Sequence, residues 1–311
     1  MKKIKAYYRD DYYAETPTQS MKKLKPVAEA VQARGLATLV DGGDGEEVIP
    51  KLAALHDPAF VEAFDKGQGE LAHSQGWNWT PAIRRGVFAI NQGMLAAAKT
   101  ALEDGIAANI AQGFHHAGQA SGEGFCTFNG LALVAGENPD LRVAVLDCDE
   151  HAGNGTEDFV RRLPNLCQCT IYGSSFGCRG HERSRLFHVT DEVRRDFTPY
   201  ADALAKSFEQ IRAWKPDLVI YQAGADPHEN DPLGSLRMTA DQMRRRDRMA
   251  LEFCRDEGFP ALFVLAGGYQ RMEPLVELHV QTFEEAARVF RGTEPDTNGT
   301  VTELPDASKT S

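Results

Sequence analysis

The chain has 311 residues, 42% of them apolar and 25% charged, ordinary globular values with length enough for one large α/β core. Its formal net charge of −11 argues against broad binding to nucleic acid or to an anionic membrane surface, and mildly favours a cationic or neutral substrate. No apolar run approaches the roughly 18 residues of a membrane-crossing helix.

The basic stretch from Met1 to Lys5 has no apolar segment behind it and does not read as a signal peptide. Residues 4–8 read as a first edge strand. From Ser20, the spacing of Leu24, Val27, Ala28, Ala30 and Val31 predicts an amphipathic helix ending at Gly35. Residues 37–40 are a short strand closed by an Asp-Gly-Gly-Asp-Gly turn, which lacks the Lys-Ser/Thr pair of a phosphate loop. Asp57 and Pro58 open another helix as its cap and first-turn residue. Residues 67–79 read as a polar loop whose two tryptophans pack locally in preference to lining a binding rim, and 80–102 as a long helix with an alanine face. A strand at 105–110 leads to Gly113-Phe114-His115-His116-Ala117, where the paired histidines are either plain loop residues or chemistry.

The densest stretch is 141–156. Val143 to Leu146 is a run of β-formers of the kind buried on both faces of a parallel sheet, and it empties into Asp147-x-Asp149-x-His151, then Gly153-Asn154-Gly155. Such a strand has no structural use for carboxylates and an imidazole at its end. Asp149 and His151 lie two apart, so on an extended backbone they point the same way, a geometry suited to a shared divalent metal.

Three more strands end alike. Residues 166–172 empty into a glycine-bounded loop holding Phe176, 217–222 into Gly224-Ala225-Asp226, and 261–265 into Gly267-Gly268-Tyr269, with helices expected at 200–214 and 239–258. Strand-helix alternation predicts a mostly parallel sheet covered by helices on both faces. Ligands gather at the carboxyl ends of such strands, where all these reactive groups fall. Six cysteines without a framework spacing point to a reducing cytoplasm. Residues 1–291 read as a single domain, and the polar 292–311 as a disordered tail.

These motifs carry a family resemblance. His115-His116-Ala117 with Gly124-Phe125-Cys126, Asp147-x-Asp149-x-His151-x-Gly153-Asn154-Gly155-Thr156, Gly224-Ala225-Asp226 with Asp231-Pro232-Leu233-Gly234, and Gly267-Gly268-Tyr269 resemble the zinc-dependent histone deacetylases of the arginase/deacetylase superfamily. The small bacterial class IV-like members are the nearest in pattern. The resemblance implies an arginase-like three-layer α/β fold and makes Asp149, His151 and Asp226 the metal ligands. Two carboxylates and one imidazole leave a coordination position open, as a catalytic zinc requires, and the set also suits Fe2+ or Co2+.

The same resemblance implies that Tyr269 donates to the developing oxyanion and that His115 and His116 share general acid–base work. Asp147 would pair with His115 and Asn154 with His116, the latter histidine being the main proton carrier. It also implies a structural potassium near Asp147, Asp149, His151, Thr170 and Ile171. The channel would be bordered by Phe125, Phe176, Gly124 and Leu233. Several positions depart from the pattern, among them Glu150, Ala152, Thr18 (where an arginine is common) and the loop that follows Phe176.

The expected activity is removal of a short acyl group from an N-acyl-lysine side chain or an N-acylpolyamine by metal-activated water. Two other readings stay open: hydrolysis of another small amide or guanidino metabolite, and an idle module that captures acyl-lysine. A homo-oligomer is compatible with the sequence, which does not decide acyl length or partner.

Overall fold

A computed structural model describes residues 3–295 and 301–303. Eight strands form one sheet: β1 Ile4–Tyr7, β2 Ala37–Val40, β3 Ile106–Asn109, β4 Val143–Asp147, β5 Leu166–Tyr172, β6 Ser184–His188, β7 Leu218–Gln222 and β8 Ala261–Val264. Their order is β2-β1-β3-β8-β7-β4-β5-β6, and every neighbouring pair is parallel. The helices are α1 Leu24–Ala33, α2 Ile49–Leu55, α3 Pro58–Lys66, α4 Pro81–Asp104, α5 Gly130–Glu137, α6 Asn154–Arg162, α7 Thr198–Trp214, α8 Ala240–Glu257 and α9 Met272–Arg291.

The strand period sorts the core into two layers. On β4, Val143 and Val145 face one side and pack with Met94 and Ala97 of α4, Leu131 of α5 and Phe159 of α6. Ala144 and Leu146 face the other, with Leu204 of α7, Leu251 of α8 and Phe283 of α9. Both faces are therefore dry, which explains why β4 and β7 carry almost unbroken apolar runs.

Most expected elements lie where periodicity puts them, within a few residues. Asp57 caps α3 by accepting from the Ala59 amide at 2.8 Å. Thr239 and Gln242 form a reciprocal capping box at the start of α8. Three differences matter. Strand β1 is not at the edge, because β2 pairs outside it with Ile4 opposite Ala37. The far edge is β6, whose Ser-Arg-Leu-Phe-His sequence mixes exposed and buried positions, as an edge strand tolerates. Helices α2, α5, α6 and α9 also add to the expected set. The tail expected from residue 292 lies mostly outside the described residues; within it Thr293–Pro295 and Val301–Glu303 pair as an antiparallel ribbon.

His56 ties the fold to the site loops. Its Nδ1 lies 2.9 Å from the Gly118 carbonyl and its Nε2 accepts from the Asn129 amide at 3.1 Å, so the ring is neutral with the proton on Nδ1. Burial holds its pKa near 4, against 6.5 when free. A depressed folded value means stability that is complete above pH 6.5 and lost as the pH falls toward 4. Between pH 7 and pH 5 this one group should remove about 2 kcal/mol of folding stability. Urea unfolding at the two pH values should show the loss shrinking by about that amount in His56→Gln; an unchanged pH dependence would refute the assignment.

Candidate active site

Four adjacent central strands, β3, β8, β7 and β4, deliver the reactive groups from their carboxyl ends. The loop after β3 carries His115 and His116, and β4 ends at Asp147 and continues to Asp149 and His151. Asp226 follows β7, and Gly267 and Tyr269 follow β8.

Asp149, His151 and Asp226 each present a ligand atom, all within 4.8 Å of one another. His151 Nδ1 stands 3.3 Å from Asp226 Oδ2 and 3.5 Å from Asp149 Oδ1. Both carboxylates are buried. Burial first, and the charge of Asp149 second, push Asp226 above the usual carboxylate range. Two like charges held this close in a dry site call for a cation between them. The backbone makes room for it: a Cβ on Gly224 would lie 2.7 Å from oxygens of both carboxylates, and one on Gly267 would lie 2.7 Å from Asp149 Oδ2. Two carboxylates and an imidazole are a donor set that fits a divalent metal with a coordination position to spare.

These side chains are held from below. Arg246 of α8 is buried and donates to the carbonyls of Cys148 at 3.1 Å and Gly224 at 2.7 Å, gripping the backbone that precedes both carboxylates. Its charge is balanced by Asp247, which also accepts from Tyr221 and Thr282. The Gly267 amide donates to Asp149 Oδ2 at 2.7 Å and the Glu150 amide to Asp226 Oδ1 at 3.1 Å, fixing the remaining lone pairs.

The histidines stand side by side, ring centroids 3.9 Å apart. His115 Nδ1 is 2.8 Å from Asp147 Oδ2, and His116 Nδ1 is 2.7 Å from Asn154 Oδ1. The Asn154 amide in turn donates to Glu123 at 2.8 Å, a third member of the His116 chain that the sequence did not reveal. Burial disfavours a charge on His115, yet the charges of Asp147, Asp149 and Asp226 and the hydrogen bond to Asp147 together outweigh it and raise its pKa. Burial, then the charge of His115, holds His116 well below its ordinary value.

Tyr269 is placed by its own amide, which donates to the buried Asp231 at 2.7 Å. Burial, then the charges of Asp226 and Asp149, push its phenol well up, so it remains a proton donor. Phe176 stacks on His116 at 3.9 Å, and Phe125 lies 5.7 Å from Tyr269. Trp77 is buried and stacks behind Phe125, so loop packing is its role and it braces the wall. Gly124 sits against His116, where a Cβ would lie 2.6 Å from the ring, while Leu233 is 47% exposed on the loop after Asp226. Phe114, Phe125, Phe176 and Ala266 all have positive φ, between 46° and 64°. Strain of this kind, of order 1–3 kcal/mol per residue, concentrates at functional sites.

Two departures from the family pattern find their explanation. Glu150 does not face solvent. It is buried and accepts from Ser235 N at 2.9 Å, Ser235 Oγ at 2.5 Å and Leu236 N at 3.3 Å, pinning the loop that carries Asp231. Thr18 bonds to Ser20, and the cation beneath the site is instead Lys23, buried and donating to the Ala266 carbonyl at 2.6 Å. Both Lys23 and Arg246 sit in runs of basic residues that read as solvated surface.

Comparison with known proteins identifies the family and the fold. The family model for the histone deacetylase domain matches residues 18–283. An uncharacterized protein of Picosynechococcus sp. is 32% identical over 252 residues, 77% of this chain and 82% of that protein. Histone deacetylase 2 of Arabidopsis thaliana is 32% identical over 186 residues, 58% of this chain and 48% of the plant protein, so the chain spans about half that relative's length. Among solved structures, acetylpolyamine aminohydrolase from Burkholderia pseudomallei has the same fold, with a TM-score of 0.76 at 19% identity over 92% of this chain and 99% of that one. With the domain match spanning most of its length, the chain belongs to the histone deacetylase family, as a hydrolase of the deacetylase type that acts on amide bonds.

Proposed function

We propose that this protein releases a short acyl group from an acylated lysine side chain or an acylated polyamine, using zinc held by Asp149, His151 and Asp226. The observation that carries the reading is convergence: three metal-binding side chains, two oriented histidines and a protonated tyrosine meet at the ends of four neighbouring strands. A divalent metal in that position supplies Lewis-acid polarisation of the amide carbonyl and an acidified water. The chain's own groups do the rest. His116, neutral and oriented by Asn154, accepts the proton of the attacking water. Tyr269 donates to the oxygen on which charge develops, and the imidazole pair returns a proton to the leaving amine.

The names of two relatives, a histone deacetylase and an acetylpolyamine aminohydrolase, are the reason for placing both amines in the proposal. The acidic balance suits either. Potassium near Asp147, Asp149, His151, Thr170 and Ile171 is part of the same reading. It is supported by Thr170 Oγ1, buried and without a hydrogen-bond partner among the described residues. All six cysteines are free thiols, which favours the reducing cytoplasm. No helix among the described residues is long and apolar enough to cross a membrane.

A turnover assay decides the matter. Metal-loaded protein is offered acetyl-, crotonyl- and lactyl-lysine peptides and N-acetylpolyamines, with a hydroxamate as control. Turnover blocked by the hydroxamate is expected; stoichiometric metal without turnover of any substrate would sink the proposal.

A further inference from the structure

The cavity that carries Tyr269 and His115 on its wall is also lined by Gln112, Phe114 and Gln222. The space there open to a water-sized sphere is about 10 Å3, room for a single water or a methyl group. Both glutamines are buried, at 6% and 1% exposure. Gln112 Nε2, Gln112 Oε1 and Gln222 Oε1 have no hydrogen-bond partner among the described residues. Leaving such a buried group unpaired costs about 1–3 kcal/mol. Three of them around one small cavity, next to a reacting centre, mark a subsite for something short that carries a polar atom. Gly113 belongs to the arrangement, since a Cβ there would run into the Gln222 side chain and into Leu131 Cδ2 at 2.5 Å.

We propose that Gln112, on the wall of this cavity, is the residue that limits the acyl group to two carbons. The inference rests on the hydrolase reading above. With the amide carbonyl between the three metal-binding side chains and Tyr269, the amine side of the substrate leaves past Phe125 and Phe176. The acyl side then points the other way, toward Gln112. An acetyl methyl fits there. Each further methylene needs volume that Gln112 occupies, and it lays an apolar chain against amide groups that want partners. Size and polarity therefore act in the same direction, against longer apolar acyl chains. A hydroxyl on a two-carbon acyl group has both a donor and acceptors waiting for it.

The test compares kcat/KM for acetyl-, hydroxyacetyl- and butyryl-lysine versions of one peptide, on wild type, Gln112→Ala and Gln112→Leu, each with its metal content and circular dichroism verified. Wild type should take butyryl about thirtyfold or more below acetyl, and hydroxyacetyl at least as well as acetyl. In Gln112→Ala the butyryl-to-acetyl ratio should rise about tenfold. Gln112→Leu keeps the bulk without the amide, so it should keep the block on butyryl and lose about tenfold on hydroxyacetyl relative to acetyl. Wild type that takes butyryl within about threefold of acetyl, or an unchanged ratio in Gln112→Ala, overturns the assignment. Metal-loaded wild type inert toward all three peptides would instead remove the hydrolase reading beneath it.

Discussion

Asp226→Asn should leave a folded protein that no longer retains stoichiometric metal after dialysis and whose kcat/KM falls about a thousandfold or more. The argument starts from electrostatics. Asp226 faces Asp149 and His151 in a buried cluster, with ligand atoms within 4.8 Å. Burial and the neighbouring Asp149 disfavour its charged form when nothing cationic lies between them. Metal binding and the metal-free state therefore respond oppositely. An asparagine removes one of two negative ligands and so loses metal affinity, yet it also removes a buried like-charge contact. The metal-free variant should consequently unfold at the same temperature as metal-free wild type or higher. Only wild type should gain further stability as zinc is added, by mass action on the folded state. Inductively coupled plasma analysis and melting curves with and without zinc check both halves. A variant that holds one equivalent of metal with wild-type affinity would show that the three side chains are not the ligand set.

What the sequence made legible follows from what local chemistry can encode. Asp149 and His151 could be paired from period two on an extended backbone; Asp226 and Tyr269 stood out only as groups at glycine-rich strand ends, and the family resemblance supplied their roles. Their assembly on four adjacent strands needed the order β3-β8-β7-β4, which no local pattern specifies. The supports were illegible for a related reason. Arg246 follows Arg244 and Arg245, and Lys23 follows Lys22, so each reads as one more solvated charge, while burial selects a single member of each run. Gln112 looks like a loop residue until it is found lining the cavity beside Tyr269 and His115, its buried amide unpaired among the described residues. Glu150 was noticeable as a departure, but its partners lie on Ser235 and Leu236, beyond any local pattern. Helix α9 was readable, with Leu275, Leu278, Phe283 and Ala286 buried at helical spacing. Strand β6 was not, being an edge strand of mixed pattern.

The second large effect separates two adjacent histidines that composition cannot tell apart. His115 lies 2.8 Å from the fully buried Asp147, and the desolvation that opposes a proton on the ring is outweighed by Asp147 together with the charges of Asp149 and Asp226. His116 sees an amide instead, and burial together with the charge of His115 keeps it neutral. A base must begin neutral, so in the proposed mechanism His116 accepts the proton from water, and the raised pKa of His115 favours a positive charge beside it. His116→Ala should therefore lower kcat by about a hundredfold to ten-thousandfold with metal content unchanged. His115→Ala should cost less, and it should alter the pH profile in a specific direction. Removing the neighbouring positive charge lets His116 hold its proton more tightly, so the acid limb of kcat/KM should move to higher pH. The converse pattern, near-full turnover in metal-loaded His116→Ala with activity lost in His115→Ala, would reverse the two roles. An acid limb that stays in place in His115→Ala would show that the two rings do not share a field, and that His115 acts through its shape alone.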